Sequence, residues 1–102
     1  MCFVLMTKIL EIIDKTKRKI YITNERYKHI LRHPEMQNKI EEIKDTIQKP
    51  LKITDYPLED NIKLYYKYYK NMVSGAKYLR VVVKYLNGEG FIVTAYFIDE
   101  IR

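Results

Sequence analysis

The chain has 102 residues, with 19 Lys+Arg against 13 Asp+Glu, a formal charge of +6, a pI near 9.3 and 47% hydrophobic residues. That length holds one ordinary core and therefore one domain, residues 1–102, and the composition excludes global disorder. No run approaches the roughly 18 apolar residues of a membrane span, and a single cysteine, Cys2, excludes a disulfide framework.

The apolar start, residues 1–6 (MCFVLM), is short and lacks a basic flank, so it does not read as a secretory leader. Met6 is a second candidate start. A lone cysteine fits the reducing cytoplasm. High Lys and Glu with two Gln and one Cys gives a thermophile-like composition. Charge is uneven: residues 61–97 carry six basic residues and one acid, a local +5 that suits a polyanionic partner. Solubility is the plainer account of the same charge.

In chain order, residues 9–13 and 19–23 (KIYIT) flank Asp14-Lys15-Thr16-Lys17-Arg18, and the second run alternates as a half-buried strand does, so a hairpin is expected. Thr23 or Asn24 caps a helix running to about residue 32, and Pro34 stops it. Pro34 also suits the first position of a second helix, residues 35–48, striped by Met36, Ile40, Ile43 and Ile47 and ended by Pro50. The remainder reads as β: strands at 51–55, 62–70, 77–86 and 91–98, with a turn at 56–61, a loop at 71–76 and a hairpin signal at 87–90. The fold expected is α+β, with an N-terminal hairpin and two helices on one face of a four-stranded antiparallel sheet.

Alternation sorts the strands into faces. Leu79, Val81, Val83 and Tyr85 share one face; Phe91, Val93, Ala95 and Phe97 share another, and both are assigned to the helices together with Leu64, Tyr66 and Tyr68. The opposite face then carries Lys63, Tyr65, Lys67, Tyr69, Arg80, Lys84, Thr94 and Tyr96. Cations neutralise phosphates and tyrosine rings stack on bases, so this face is a candidate RNA-binding surface. Strands also favour tyrosine, and solvated faces favour lysine, without any ligand.

The chain offers no zinc spacing, no phosphate-cradling glycine loop and only one serine, Ser74, so no metal or other cofactor is called for. Gly88 and Gly90 are assigned to the hairpin. Metal-independent RNA cleavage needs a base for the 2′-hydroxyl, an acid for the 5′-oxygen and fixed positive charge at the phosphorane. Histidine is the side chain suited to exchanging protons near neutral pH, which makes His29 the natural acid or base, and Arg26, His29 and His33 recur at helical spacing on one side. Arg80 and Lys84 can clamp phosphate, and Thr94 and Tyr96 can donate hydrogen bonds. Ordinary structural readings stand beside these: His29 as a helix residue with a satisfied nitrogen, His33 as a cap, Arg80 and Lys84 as solvated charges, Tyr96 as packing.

The run from Ile20 to Ile30 (IYITNERYKHI), then Arg32-His33-Pro34-Glu35-Met36, resembles the opening of phage-type nuclease domains of the barnase–EndoU–colicin–RelE superfamily. The ending resembles them too, in Tyr78–Tyr85 (YLRVVVKY) and Gly90–Phe97 (GFIVTAYF). The resemblance covers about residues 8–98 and implies a metal-independent endoribonuclease, possible as a toxin paired with an acidic inhibitor or antitoxin protein. It carries over His29, Arg80, Lys84, Thr94 and Tyr96 as catalytic candidates. The chain departs from barnase in lacking a recognisable Glu base and C-terminal His pair, and is closer in style to sites built on Arg, Lys and Tyr. The alternatives are a non-catalytic nucleic-acid-binding module and a protein-interaction subunit with an acidic partner.

Overall fold

The computed structural model describes residues 8–14, 16–69, 77–86, 88–99 and 101. The expected loop at 71–76, Cys2 and the apolar start lie outside them. The fold is α+β: β1 (Lys8–Ile13), β2 (Lys19–Thr23), α1 (Asn24–Ile30), a 3₁₀ turn (Pro34–Met36), α2 (Ile40–Gln48), β3 (Lys52–Asp55), β4 (Ile62–Tyr68), β5 (Tyr78–Leu86) and β6 (Glu89–Ile98).

The sheet has six strands rather than four, in the order β1-β2-β6-β5-β4-β3. The β1–β2 hairpin joins it because β2 runs parallel to β6, pairing Ile20 with Gly90 and Tyr21 with Phe91. The other neighbours are antiparallel. Gly90 makes this junction possible. A Cβ there would stand 3.0 Å from Ile20 Cγ1, Tyr85 Cε1 and Val83 Cγ1. Its role is close packing of two strands, whereas Gly88, at φ 82°, serves the β5–β6 turn.

One face of the sheet, the inner face, holds the core. Ile12, Ile20, Ile22, Tyr65, Leu79, Val81, Val83, Ile92, Ala95 and Phe97 meet Ile30, Met36, Ile43 and Ile47 there. α2 crosses β5, β4 and β1, while α1 lies along β6 beyond the point where β2 stops pairing with it.

Both helices are shorter than expected. Thr23 caps α1 by accepting from the Arg26 amide at 3.2 Å, and the helix ends at Ile30. The expected 35–48 helix divides: Pro34 opens a single 3₁₀ turn, Gln37 is extended, Asn38 takes φ 60°, and α2 starts at Ile40. The left-handed residue breaks the helical path, and Met36 still reaches the core from the preceding turn.

Candidate nucleic-acid interface

The outer face is set by strand register. Residues directly opposite in an antiparallel pair point to the same side. Tyr65 faces Val81, Lys63 faces Val83 and Lys67 faces Leu79, so these β4 residues lie on the helix side. This corrects the expectation that Lys63, Tyr65, Lys67 and Tyr69 join the outer basic face. Tyr65 is buried in the core, Lys67 pairs with Asp45 of α2 at 2.6 Å, and Lys63 pairs with Asp55 of β3. The Tyr69 hydroxyl donates to the Glu42 carbonyl and to Asp45 at 3.2 and 3.3 Å. Burial pushes the Tyr69 phenol up to about 12, with help from the neighbouring carboxylates.

The same register brings Tyr66 to the outer face. Across four strands, Lys52 is paired with Tyr66, Tyr66 with Arg80 and Arg80 with Tyr96, making one transverse row. The Arg80 guanidinium lies 5.3 Å from the Tyr66 ring and 5.6 Å from the Tyr96 ring, and donates to the Tyr96 hydroxyl at 2.9 Å. Beside the part of β6 that β2 leaves unpaired, the His33 ring stands 6.0 Å from Tyr96. Beside the row, Tyr68 and Tyr78 meet edge to face at 5.4 Å. Burial pulls the Arg80 pKa down, but the hydrogen bond to Tyr96 and the two phenols outweigh it and leave it raised. Arginine has five N–H donors; among the described residues one bond is made, and Arg80 Nε and the Tyr66 hydroxyl are buried without a partner.

His33 follows the end of α1 and occupies the N-cap position of the 3₁₀ turn, where its side chain makes no cap hydrogen bond. The expected helical face of Arg26, His29 and His33 therefore splits. Arg26 and His29 line a hollow of about 260 Å³ together with Glu25, Lys28 and Arg32, whereas His33 turns toward Tyr96. Among the described residues, Arg26, Lys28 and Arg32 make no ion pair; Arg18, Lys19, Lys63, Lys67 and Lys84 each do.

Lys84 and Thr94 are on the outer face as expected, with Lys84 3.5 Å from Glu59. Their neighbours are not as expected. A β-bulge between Val82 and Val83 changes the alternation of β6: Val82 opposes Thr94 but Val83 opposes Ile92, leaving Val93 as the extra residue. Ile92, Ala95 and Phe97 are consequently buried, while Phe91 and Val93 turn outward, correcting their assignment to the helix side. Phe91, Val93 and Leu86 line a second hollow of about 310 Å³, together with Lys84 of β5 and Thr23, Glu25 and Arg26 at the start of α1. The two hollows share Glu25 and Arg26 as lining residues.

A separate polar cluster closes the inner face. Asp14 accepts from Tyr85 Oη at 2.8 Å, Tyr65 Oη at 3.5 Å, the Thr16 amide and hydroxyl, and the Arg18 amide. Arg18 lies over the Tyr85 ring at 3.8 Å. Burial raises the Asp14 pKa, but these donors more than offset it and hold the carboxyl below its ordinary value. Two features of the sequence bear on this cluster, Asp14 at the start of a hairpin turn and Tyr85 at an inward strand position, whereas alternation puts Tyr65 on the other face.

No helix among the described residues is long and apolar enough to cross a membrane, and none of their His, Cys, Asp and Glu side chains group in a way that could hold a metal ion. Comparison of the chain with protein families, with curated proteins and with solved structures found no match.

Proposed function

We propose that this chain is a metal-independent endoribonuclease of the RelE/barnase-like kind, with its RNA-contacting surface on the outer face of the sheet. The observation that carries the reading is the transverse row. It sets a guanidinium with unused donors, a phenol bonded to it and an imidazole 6.0 Å further on along one surface. In the proposed reaction, Arg80 holds the scissile phosphate and neutralises charge developing on the phosphorane. His33 exchanges a proton with the 2′-hydroxyl or the leaving 5′-oxygen, and Tyr96, polarised by Arg80, orients the other oxygen. Attack of the 2′-oxygen on phosphorus expels the 5′-oxygen and leaves a 2′,3′-cyclic phosphate. Lys84, Arg26, His29 and the α1 cations then serve to hold flanking phosphates.

A non-catalytic RNA-binding module is the second reading, favoured by the separation of His29 from the row, which leaves His33 alone there as a histidine. An acidic inhibitor or antitoxin protein would compete for the same cations. The test is incubation of metal-free protein with end-labelled RNA in EDTA, beside His33→Ala and His29→Ala. The reading expects cyclic-phosphate ends that are lost in His33→Ala and reduced severalfold in His29→Ala. Intact RNA at catalytic ratios over a broad pH range, with salt-sensitive binding retained, leaves the binding module.

A further inference from the structure

We propose that the hollow between α1 and the β5–β6 hairpin receives one unstacked base of a single-stranded RNA, with Arg26 and Lys84 gripping the phosphates on either side. This rests on the ribonuclease reading and narrows its substrate to single strands.

The hollow arises from two features of the fold. β2 leaves β6 after two paired residues, and the bulge at Val93 turns Phe91 and Val93 to the same outer side. The resulting space of about 310 Å³ is walled by Leu86, Phe91 and Val93. That lies at the lower end of small-molecule sites, a size class for one base rather than a stacked pair. The Phe91 ring is steadied against Tyr21, with centroids 5.8 Å apart, and offers a platform for stacking. Arg26, from α1, and Lys84, from β5, line this space together with the apolar walls. Among the described residues, Lys84 makes one half-exposed ion pair, to Glu59, which a phosphate can replace.

Glu25 lines the same space. A carboxylate repels phosphate but accepts from the amino edge of a base, so the base belongs beside Glu25 and the backbone beside the cations. Arg26 and Glu25 also line the neighbouring hollow of Lys28, His29 and Arg32, where three fixed cations, Arg26 included, accompany the one carboxylate. A duplex keeps its bases paired and stacked, and would have to extrude one to enter.

The experiment is fluorescence anisotropy at low salt with a 2′-O-methyl oligonucleotide, which cannot be cleaved, as a single strand and annealed to its complement. The wild type is compared with Phe91→Ala, which removes the platform, and Val93→Phe, which fills the space without changing charge. Circular dichroism melts check that each variant is folded; either folded variant suffices. The expected result is a single strand bound at least tenfold more tightly than the duplex, with the variants losing about tenfold on the single strand, the size of one base–aromatic stack, and little on the duplex. Equal affinity for the two forms overturns the proposal, as does unchanged single-strand affinity in a folded variant; if RNA is still cleaved, the ribonuclease reading survives. No binding of either form, together with no cleavage of unmodified RNA, sinks both.

Discussion

Arg80 and Tyr96 face each other across the β5–β6 ladder, and the guanidinium donates from Nη1 to the phenol oxygen at 2.9 Å. A planar fork fixed at one corner presents its remaining donors in a defined direction, which a lysine cannot reproduce. Arg80→Lys should therefore lower single-turnover cleavage by about 100-fold, the usual order for losing one preorganised donor at a developing charge. Tyr96→Phe should cost about tenfold in rate and about 1 kcal/mol in stability, the net worth of one hydrogen bond. Thermal melts run beside the kinetics separate the two effects. Wild-type rates in Arg80→Lys would remove Arg80 from the phosphate.

The two sets of lysines give a second, opposed prediction. Lys63 and Lys67 lie on the helix side, held by Asp55 and Asp45, whereas Lys84 shares the outer face with Arg80. Lys84→Ala should weaken RNA binding and lower the slope of log K against log salt by about one, as loss of one phosphate contact does. Lys63→Ala and Lys67→Ala should leave that slope unchanged. A salt titration of the three variants distinguishes them.

These lysines also show what was legible in the sequence. In β5 only one face is apolar, so Leu79, Val81, Val83 and Tyr85 could be placed inward and Arg80 and Lys84 outward, as observed. In β4 both faces mix apolar and polar residues, and both Tyr65 and Tyr66 are buried, so alternation gave no sign and lysine was assigned to the wrong side. Lys67 finds its carboxylate, Asp45, on α2, far away in sequence, and Lys63 finds Asp55 on the neighbouring strand β3; neither pairing shows in the alternation of β4. The bulge at Val93 has no local signature either: residues 91–98 alternate well on paper, and only the ladder to β5 shows the extra residue. The helix cap at Thr23 was readable because capping is local.

The sequence places Gly90 in the hairpin turn, yet it lies within β6 against Ile20, Val83 and Tyr85. Gly90→Ala places a methyl group against side chains that are fixed in the core, and overpacking of this kind costs about 1–3 kcal/mol. Because the contact is the β2–β6 junction, the loss should appear in hydrogen exchange as faster opening of β1 and β2 before β4 and β5. Urea unfolding gives the total. A variant as stable as the wild type would mean that the hairpin moves aside at no cost.

Asp14 ties that hairpin to β4 and β5 through the Tyr65 and Tyr85 hydroxyls. Its folded pKa lies below the ordinary 3.8, and so does that of Asp45, which the Lys67 ammonium depresses. A lowered folded value means that the stabilisation is present above the unfolded value and is lost as pH falls through the folded one. Stability should thus decline below pH of about 4. Asp14→Asn should flatten this decline and cost about 2 kcal/mol at neutral pH, because an amide cannot accept everything the carboxylate does. Urea midpoints between pH 2 and 7 for wild type and variant measure both.

The alkaline limb runs the other way. Burial raises the phenol of Tyr69 to about 12 and those of Tyr65 and Tyr85 above their ordinary 10, with the Asp14 carboxylate adding to the last two. A phenol whose folded pKa is raised stays protonated in the fold while the unfolded chain ionises. Its contribution is therefore complete below pH of about 10 and is lost as pH rises toward the folded value. Unfolding should accordingly begin above pH of about 10 and be accompanied by a cooperative rise in tyrosinate absorbance. Tyr85→Phe should remove part of the alkaline loss while costing about 1–3 kcal/mol at neutral pH, since Asp14 then loses a donor in a buried setting. If the variant and the wild type lose stability over the same alkaline range with the same steepness, the Asp14–Tyr65–Tyr85 cluster does not govern that limb.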